Sequence, residues 1–383
     1  MVWDTSASPT ASGAAAAAAG RCTAVLRQTE WMTAVAFSPD GHTLASGSVA
    51  KELRIWDVAA CEAEHAAAVG GSGGTAAIVL SAAAAHTADV TCVAVSPDGG
   101  LLATASEDKT VIVWQVGGGD AGLRWRATLE GHFKCVTGVA WAPPGPPGAP
   151  PRLASVSDDL TVRIWELLPA TPSALALMPN GDNGNNGNNG NGGGGGGGGG
   201  TTRRASSGGA PALLARCVAT LVGHTDRIRG VAWSPDTAGG GALASGAEDN
   251  HVRLWDARSG TCTATLWGHS NYVTCVSYSP ADGGSSVTSA AQDHTIRVWD
   301  TASHKCVRTL QGHDHYVNAL SYSPCGGLLA SASCDKSVRL WDHDTGMCVA
   351  VLRGHTDTVN SIAFAPLEDE AAGGGGRGAG RGG

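Results

Sequence analysis

The chain has 383 residues and a formal net charge of −8, and its 12 Trp and 56 Gly are both in excess. The acidic balance disfavours general binding to nucleic-acid phosphates, and no apolar run approaches the roughly 18 residues of a transmembrane helix. The 11 cysteines include no Cys-x-x-Cys pair, which argues against a zinc knuckle and a secreted disulfide framework. We therefore expect an intracellular protein, cytoplasmic, nuclear or both, with no metal and no cofactor.

One unit recurs along the chain and closes on a Trp that is mostly followed by an acidic residue. The closing tryptophans, in chain order, are Trp3, Trp56, Trp114, Trp165, Trp255, Trp299 and Trp341. The shortest intervals, 44 and 42 residues, give the bare period, and longer intervals carry insertions. Each unit begins with a Gly-His pair, an alternation of apolar residues and a turn that resembles Ser-Pro-Asp-Gly. A second strand-like run, a tight turn that contains an Asp and the closing strand complete the unit. Alternation bounded by turn residues predicts four short strands per unit and no helix.

The Gly-His and Trp-Asp signatures at this period resemble the WD-repeat β-propeller family over most of residues 22–366. The resemblance implies an all-β ring in which the segment after each Trp-Asp is the outer strand of the same blade. Six complete sets of inner strands are then predicted, at residues 31–57, 90–115, 136–166, 228–256, 273–300 and 317–342.

A seventh blade is predicted from both ends of the chain, with one strand missing. Residues 359–366, after His355, supply its first strand, and residues 2–4 and 22–26 supply its third and outer strands. We therefore predict a WD-repeat propeller of seven blades with an incomplete closing blade, and six blades is the alternative. A truncated or mis-spliced chain is expected to explain the missing strand.

The prediction divides the chain into five parts. Residues 1–4 form an N-terminal strand of the last blade, and residues 22–166 form blades 1–3. Residues 167–213 are a disordered Asn/Gly-rich insertion. Residues 214–366 form blades 4–7, and residues 367–383 form a Gly/Arg tail. The insertion cannot bury apolar area to offset chain entropy, which predicts disorder. Six prolines at residues 143–151 predict a stiff, extended loop.

In five units a Ser or Thr, an Asp and a Trp keep spacings of four and six residues, after a His. Such sets could form a hydrolase triad, but five copies without a strained elbow or an oxyanion hole favour a structural role. The resemblance implies that Asp bonds His, His bonds the hydroxyl, and the hydroxyl bonds the Trp indole. We name these sets the tetrads: His86, Thr104, Asp108 and Trp114; His132, Ser155, Asp159 and Trp165; His224, Ser245, Asp249 and Trp255; His269, Ser289, Asp293 and Trp299; His313, Ser331, Asp335 and Trp341.

The first complete unit departs from this pattern. Gln28 stands where Gly-His is expected, and Ala50 occupies the Asp position, so that only Ser46 and Trp56 remain. We expect this blade to be the least rigid of those with four strands.

The face that carries the Gly-His pairs and the Asp turns, here called the Gly-His face, keeps short loops and often docks partners in related propellers. Residues just before each turn Asp, or three after each His, point to this face, and Tyr and Arg are typical hot spots. The predicted partner-binding rim is Glu107, Phe133, Lys134, Asp158, Arg227, Glu248, Tyr272, Gln292 and Tyr316. We predict a non-catalytic protein–protein interaction scaffold, with proteins or peptides as partners in a larger complex, no membrane and no small-molecule substrate.

Three alternatives remain. Trp255, Asp256 and Arg258, with Ala257 between them, are similar to the Trp-Asp-x-Arg box of WD-repeat substrate receptors of cullin-RING ubiquitin ligases. The Gly/Arg tail, which includes two arginines, would suit an RNA-associated protein, although nucleic acid is an unlikely partner for an acidic chain. An enzyme hypothesis would rest on the tetrads alone. His315 beside His313 is the nearest approach to a metal pair.

Overall fold

Twenty-six strands and one helix form the regular structure of the part of the chain that the computed structural model describes. That part comprises residues 1–4, 21–26, 30–69, 78–82, 86–116, 123–169, 213–236 and 241–366. Six antiparallel sheets of four strands form blades 1–6 of a propeller. A seventh sheet holds two strands, β1 (Val2–Asp4) and β2 (Arg21–Ala24).

In blades 1–3 the four strands follow one another in chain order from the centre of the ring outward. Blade 1 contains β3 (Met32–Phe37), β4 (Thr43–Ser48), β5 (Leu53–Asp57) and β6 (Ile78–Ala82). Blade 2 contains β7 (Val90–Val95), β8 (Leu101–Ser106), β9 (Val111–Gln115) and β10 (Arg124–Leu129). Blade 3 contains β11 (Val136–Trp141), β12 (Arg152–Ser157), β13 (Thr161–Pro169) and β14 (Leu213–Val222).

Blades 4–6 repeat this order. Blade 4 contains β15 (Ile228–Trp233), β16 (Ala242–Ala247), β17 (Val252–Asp256) and β18 (Thr261–Leu266). Blade 5 contains β19 (Val273–Tyr278), β20 (Ser286–Ala291), β21 (Ile296–Asp300) and β22 (Cys306–Leu310). Blade 6 contains β23 (Val317–Tyr322), β24 (Leu328–Ser333), β25 (Ser337–Asp342) and β26 (Cys348–Arg353).

The second strand of each blade is buried along almost its whole length. A half-buried strand would alternate apolar and polar residues, but neighbouring blades cover both faces of these strands. Their sequences are accordingly runs of small residues, such as Ala-Ser-Ala-Ser in β24. The core therefore lies between successive blades, and each hydrophobic cluster joins residues of adjacent sheets.

One helix, α1 (Val58–Val69), lies between β5 and β6, where the sequence analysis predicts no helix. That prediction was wrong because Ala and Glu have high helix propensity, while the apolar residues are spread around the helix and give no 3.6-residue signal. Asp57 caps the helix by accepting a hydrogen bond from Ala60 N at 2.9 Å. No helix of the described ranges is long and apolar enough to span a membrane.

The boundaries of the predicted insertion 167–213 differ from those observed. β13 and β14 pair as far as Pro169 and Leu213, and Leu167 is buried. Both strands continue because Leu167 finds apolar cover in the neighbouring core cluster. Residues 170–212 lie outside the described residues. The proline-rich loop is also not fully extended, because Ala149 N bonds Pro146 O at 2.9 Å around Gly148, whose φ is 87°.

A belt of hydrogen bonds links the first strands around the central channel. In six of seven repeats, a Thr or Asn at the second position of the first strand donates to a backbone carbonyl of the next repeat, at 2.5–3.1 Å. The bonds run from Thr33 to Val90, Thr91 to Val136, Thr137 to Ile228, Thr274 to Val317, Asn318 to Val359 and Asn360 to Met32. The last bond returns to blade 1 and closes the ring.

The protein is thus an all-β propeller with six complete blades and an incomplete seventh repeat. Residues 359–366 occupy the first-strand place of that repeat without forming a strand. β1 pairs with β2 through Trp3 and Cys22, as Trp341 pairs with Cys348 in blade 6. The ring therefore joins its two chain termini in one repeat.

Candidate functional site

Each of blades 2–6 contains four side chains joined in one chain of hydrogen bonds, with the composition of the predicted tetrads. In blade 6, Ser331 Oγ lies 2.8 Å from Trp341 Nε1 and 2.7 Å from His313 Nε2. The other ring nitrogen of His313 lies 2.7 Å from Asp335 Oδ2. The corresponding distances in blades 2–5 are 2.7–3.1 Å.

A neutral imidazole satisfies every partner in this arrangement. His313 Nδ1–H donates to the carboxylate, Nε2 accepts the Ser331 hydroxyl proton, and Ser331 Oγ accepts the indole N–H of Trp341. A hydrolase triad has the same Ser-His-Asp connectivity. The five tetrad hydroxyl residues, however, have no solvent exposure and already accept an indole N–H, so a substrate carbonyl has no path to them. The geometry favours a structural role.

The ionisation of the tetrads fits this arrangement. Burial raises the pKa of Asp335, but hydrogen bonds from Ser337 and His313 outweigh it, and the pKa lies well below its usual value. The same balance of burial against hydrogen bonds lowers the pKa of Asp159 and Asp293. Burial also lowers the pKa of His313, against the effect of its hydrogen bond to Asp335. A neutral His and an ionised Asp result at neutral pH.

The tetrad Asp also fixes the loops of the Gly-His face. Asp335 Oδ2 accepts a hydrogen bond from Asp314 N at 3.2 Å, and Oδ1 accepts from Ser337 N and Oγ at 2.9 and 2.6 Å. One carboxylate therefore holds the loop before the first strand against the turn before the third strand. These bonds keep the loops of this face in place.

In blades 3–6 the residue before the tetrad His is Gly, for a steric reason, whereas Ala85 precedes His86 in blade 2. A Cβ on Gly131 would lie 2.8 Å from the guanidinium of Arg163 and 3.2 Å from the ring of Trp165. At Gly223 the corresponding distances are 2.8 Å to the guanidinium of Arg253 and 3.0 Å to the blade-closing Trp. The Gly-His signature thus arises because the third strand packs its Arg and Trp onto this residue.

In blade 1 the described residues include the Trp and the hydroxyl residue of a tetrad but no tetrad His or Asp. Trp56 Nε1 donates to Ser46 Oγ at 2.8 Å, and both residues are buried. Ala50 stands in the Asp place and has no carboxylate to offer, while Gln28 lies outside the described residues. Blade 1 therefore lacks the carboxylate that holds the loops in blades 2–6.

Blade 4 interrupts the belt at the centre of the ring. Arg229 stands where blades 1, 2, 3 and 5 carry Thr. Its Nε donates to Glu248 Oε1 at 2.7 Å, its Nη2 contacts the same oxygen, and its Nη1 lies 3.8 Å from Asp158 Oδ1. Asp158 Oδ1 is buried and has no hydrogen-bond partner in the described part of the chain. The substitution thus replaces an inter-blade bond with a charged cluster.

This cluster borders a cavity of about 340 Å³ at the mouth of the channel on the Gly-His face. The cavity is lined by Arg229, Glu248, Tyr272, Gln292 and the belt threonines Thr33, Thr91, Thr137 and Thr274. We call this set the channel mouth. It offers a guanidinium, a carboxylate, an amide and an exposed phenol ring within one concave site, which can recognise a polar or charged side chain.

The structure divides the nine predicted rim residues into two groups. Glu248, Tyr272 and Gln292 line the channel mouth, and Asp158 lies beside it. The others lie on the Gly-His face outside the cavity: Glu107, Phe133, Lys134, Arg227 and Tyr316. Among these, the Phe133 ring is 76% exposed and Tyr316 packs against His315.

Sequence reasoning missed Arg229 and two exposed aromatic residues of this face. Trp267, which is 70% exposed, packs against His251 with the ring planes tilted by 49° and the centroids 3.9 Å apart, and Trp31 is 73% exposed. Neither Trp closes a blade. Comparing the second residue of each first strand would have shown Arg229 as the one charged member of the series.

The Trp-Asp-x-Arg box lies away from the channel mouth. Trp255 is buried in its tetrad, whereas Arg258 is exposed in the turn between β17 and β18, on the face opposite the Gly-His face. Asp256 Oδ1 accepts a hydrogen bond from Arg258 N at 2.8 Å, which holds the turn between the two strands. The box remains a prediction, and the tail arginines, Arg377 and Arg381, lie outside the described residues.

No metal site is present in the described ranges, because they contain no group of three or more potential side-chain ligands. His313 and His315 do not converge. His313 points into its tetrad, while the His315 ring stacks on His294 with centroids 5.7 Å apart.

The comparisons with known proteins agree with the repeat architecture. The family model described as "WD domain, G-beta repeat" matches residues 20–57, 79–115, 124–166, 215–256, 260–300, 304–342 and 346–377.

The relatives found include nuclear distribution protein PAC1-1 of Uncinocarpus reesii, 31% identical over 196 residues, which cover 51% of this chain and 41% of the relative. PAC1 of Fusarium vanettenii is 30% identical over 272 residues, covering 64% and 56%. PAC1 of Ajellomyces capsulatus is 42% identical over 198 residues, covering 51% and 41%. The chain spans about half the length of the curated relatives it matches.

Proposed function

The chain belongs to the WD40 repeat family, and from this we propose that it is a non-catalytic scaffold that binds a partner protein at the channel mouth on its Gly-His face. The name nuclear distribution protein belongs to the relatives, and our proposal for this chain covers the interaction role alone. The proposed setting is a larger intracellular complex.

The observation that carries this proposal is the break in the belt at Arg229. In six repeats the equivalent side chain donates a hydrogen bond to the next repeat, whereas Arg229 pairs with Glu248 and Asp158. The position lies at the mouth of an open cavity and not in a tightly packed core. Departures from a repeat rule that bring no packing gain are typical of functional positions.

The charges of the site indicate the chemistry of the partner. Two carboxylates, Asp158 and Glu248, share one guanidinium, so the cluster carries one more negative charge than positive. Tyr272, 40% exposed, offers an aromatic face beside them. A Lys or Arg side chain of the partner would balance the excess negative charge and pack on the phenol ring.

Photo-crosslinking from single positions tests this proposal. A photoreactive phenylalanine analogue placed at Tyr272 should capture a partner in an extract of the source cells. The matched control carries the analogue at Met347, which is 67% exposed but lies in the turn between β25 and β26. Partner adducts from Tyr272 and none from Met347 would support the proposal. Adducts only from the analogue at Met347, or from one at Arg258, would place the interaction on the opposite face. That result would overturn the proposal.

A further inference from the structure

Six pairs of residues surround the channel mouth on the Gly-His face, and we call them the rim pairs. In each of blades 1–6 the residue before the turn Asp, or before Ala50 in blade 1, donates its backbone N–H to the carbonyl of the residue before the first strand, at 2.8–3.1 Å. The pairs, in blade order, are Trp31 and Val49; Asp89 and Glu107; Cys135 and Asp158; Arg227 and Glu248; Tyr272 and Gln292; Tyr316 and Cys334. The shared bond gives every pair the same place in its blade.

The chemistry of the rim pairs divides the ring into two arcs. The acidic arc, in blades 2–4, holds every charged side chain of the set: Asp89, Glu107, Asp158, Arg227 and Glu248. The aromatic arc, in blades 5, 6 and 1, holds no charged side chain and three aromatic rings: Trp31, Tyr272 and Tyr316. On the basis of the proposed function, we propose that the partner segment at the channel mouth is bipartite, with a basic end on the acidic arc and an apolar end on the aromatic arc.

The carboxylates of the acidic arc act together across neighbouring blades. Burial raises the pKa of the Cys135 thiol, and the negative charges of Asp158 and Glu107 raise that pKa further. Even with Arg229 included, the carboxylates of this arc outnumber its guanidinium groups by four to two. Two of the carboxylates share Arg229, whereas Asp89 and Glu107 have no ion pair with a described residue. The arc therefore keeps an excess of negative charge, which attracts Lys and Arg side chains.

The aromatic arc offers uncharged rings to a partner. Trp31 is exposed and holds in blade 1 the place of Tyr272, which lines the channel mouth in blade 5. The Tyr316 ring in blade 6 packs against His315 and His294, with centroids 4.4 and 5.7 Å apart. An exposed Trp that closes no blade presents a large apolar area, and an apolar side chain of the partner would remove this area from water.

The division belongs to the rim pairs and not to the whole Gly-His face. One or two residues after the tetrad His, charges of both signs occur without order, as Lys134, Asp226 and Asp314 show. Attraction to the whole face would therefore not orient a partner, whereas two separate arcs at the mouth would. Because blades 2–4 lie across the channel from blades 5, 6 and 1, a segment that contacts both arcs has to cross the channel mouth.

Binding of designed peptides to the full chain tests this division. The bipartite probe is a fluorescent peptide with a run of lysines at one end, a flexible Gly-Ser spacer and a run of leucines at the other end. In the basic control Ser replaces the leucines, and in the apolar control Gln replaces the lysines. Fluorescence anisotropy should show that the bipartite probe binds about tenfold more tightly than either control, because each control leaves one arc uncovered.

Variants of the chain assign the two ends of the probe to the two arcs. Glu107→Gln should weaken binding of the bipartite probe about threefold and reduce its dependence on salt, because a screened charge pair is lost. Trp31→Ala should weaken binding about tenfold and leave the salt dependence unchanged. The matched controls are Asp344→Asn and Met347→Ala, two exposed residues of the turn between β25 and β26, and both should bind the probe as the unmodified chain does.

The outcomes separate the bipartite partner from the proposed function. Equal binding of the bipartite probe and the basic control, or unchanged binding to the Trp31→Ala variant, would overturn the bipartite partner. Partner adducts from the photoreactive analogue at Tyr272 would in that case leave the proposed function standing. The expected differences among peptides and variants, without any partner adduct at Tyr272, would overturn the proposed function and leave the two arcs as a peptide-binding surface.

Discussion

Blades 1 and 6 have four strands each and the same register, but they differ in their polar interior. Trp56 faces Leu44 as Trp341 faces Leu329, and both third strands shift register just before the Trp. In blade 6 the hydrogen bonds continue from Ser331 through His313 to Asp335, whereas in blade 1 the Trp bond to Ser46 has no His and Asp beyond it.

The difference separates what forms a blade from what fixes its loops. Strand pairing and burial of the closing Trp are the same in both blades, so they do not require the His–Asp half of the tetrad. The carboxylate of Asp335 adds bonds to two loop segments that Ala50 cannot make. We therefore assign the Trp–hydroxyl bond to the blade interior and the His–Asp pair to the Gly-His face.

The largest expected effect comes from removing the two hydroxyls. Ser331→Ala leaves both the Trp341 indole and the His313 ring unpaired, and we expect it to cost about 3 kcal/mol of unfolding free energy. Ser46→Ala removes the acceptor of the Trp56 indole in a blade without a tetrad His among the described residues, and we expect it to cost about 1–2 kcal/mol. Urea denaturation of the two variants measures this difference. Equal losses would show that the tetrad bonds of blade 6 add nothing to the bond that blade 1 retains.

The next effect comes from the loop-fixing carboxylate. Asp335→Ala removes the acceptor for His313 Nδ1 and for the loop amides, and we expect a loss of about 2 kcal/mol and a lower Tm. Asp344→Ala, an exposed Asp of the same blade, is the matched control and should leave the Tm unchanged. A Tm of Asp335→Ala that equals the control would refute the role of the carboxylate.

Acid should weaken the complete blades more than blade 1. The folded-state pKa of His313 lies below its unfolded value of about 6.5, so its contribution is complete above that pH and declines as the pH falls. The lowered pKa of Asp335 adds a further decline below about pH 4. The urea midpoint should therefore fall as the pH is lowered from neutral through about 6.5. His313→Gln should flatten the first decline and His42→Gln should not, whereas a wild-type midpoint that rises on acidification would contradict the assignment.

The smallest effect is expected from giving blade 1 the missing carboxylate. Ala50→Asp adds an acceptor without a tetrad His in the described residues, so the free energy of unfolding should change by less than about 0.5 kcal/mol. The same urea measurement checks this value. A gain as large as the loss from Asp335→Ala would mean that another group of blade 1 already fills the His place.

The repeat made most of the fold predictable from the sequence. Alternation and turn residues located the strands of six blades. The fixed spacing from Ser331 through Asp335 to Trp341 and in the sister units, each set following a His, grouped the residues that lie within hydrogen-bond distance. The pattern worked because each unit is local: its strands pair with their neighbours in the chain.

The missed features depend on distances between units or on signals without a period. The helix α1 gave no periodic pattern because its apolar residues surround it. Arg229 is visible in the sequence as an exception, but its partners come from two blades: Asp158 from blade 3, and Glu248 from the turn after β16 in blade 4. Only the closed ring brings these side chains to one channel mouth.

The central claim is that the departure of Arg229 from the belt serves partner binding and not folding. Arg229→Thr tests it most directly, because it introduces the side chain that blades 1, 2, 3 and 5 use at this position. The introduced threonine can donate to the Val273 carbonyl, which offsets the loss of the guanidinium beside Glu248 and Asp158, so the Tm should change little, while crosslinking of the partner from Tyr272 should be lost. A lowered Tm with crosslinking retained would contradict the claim.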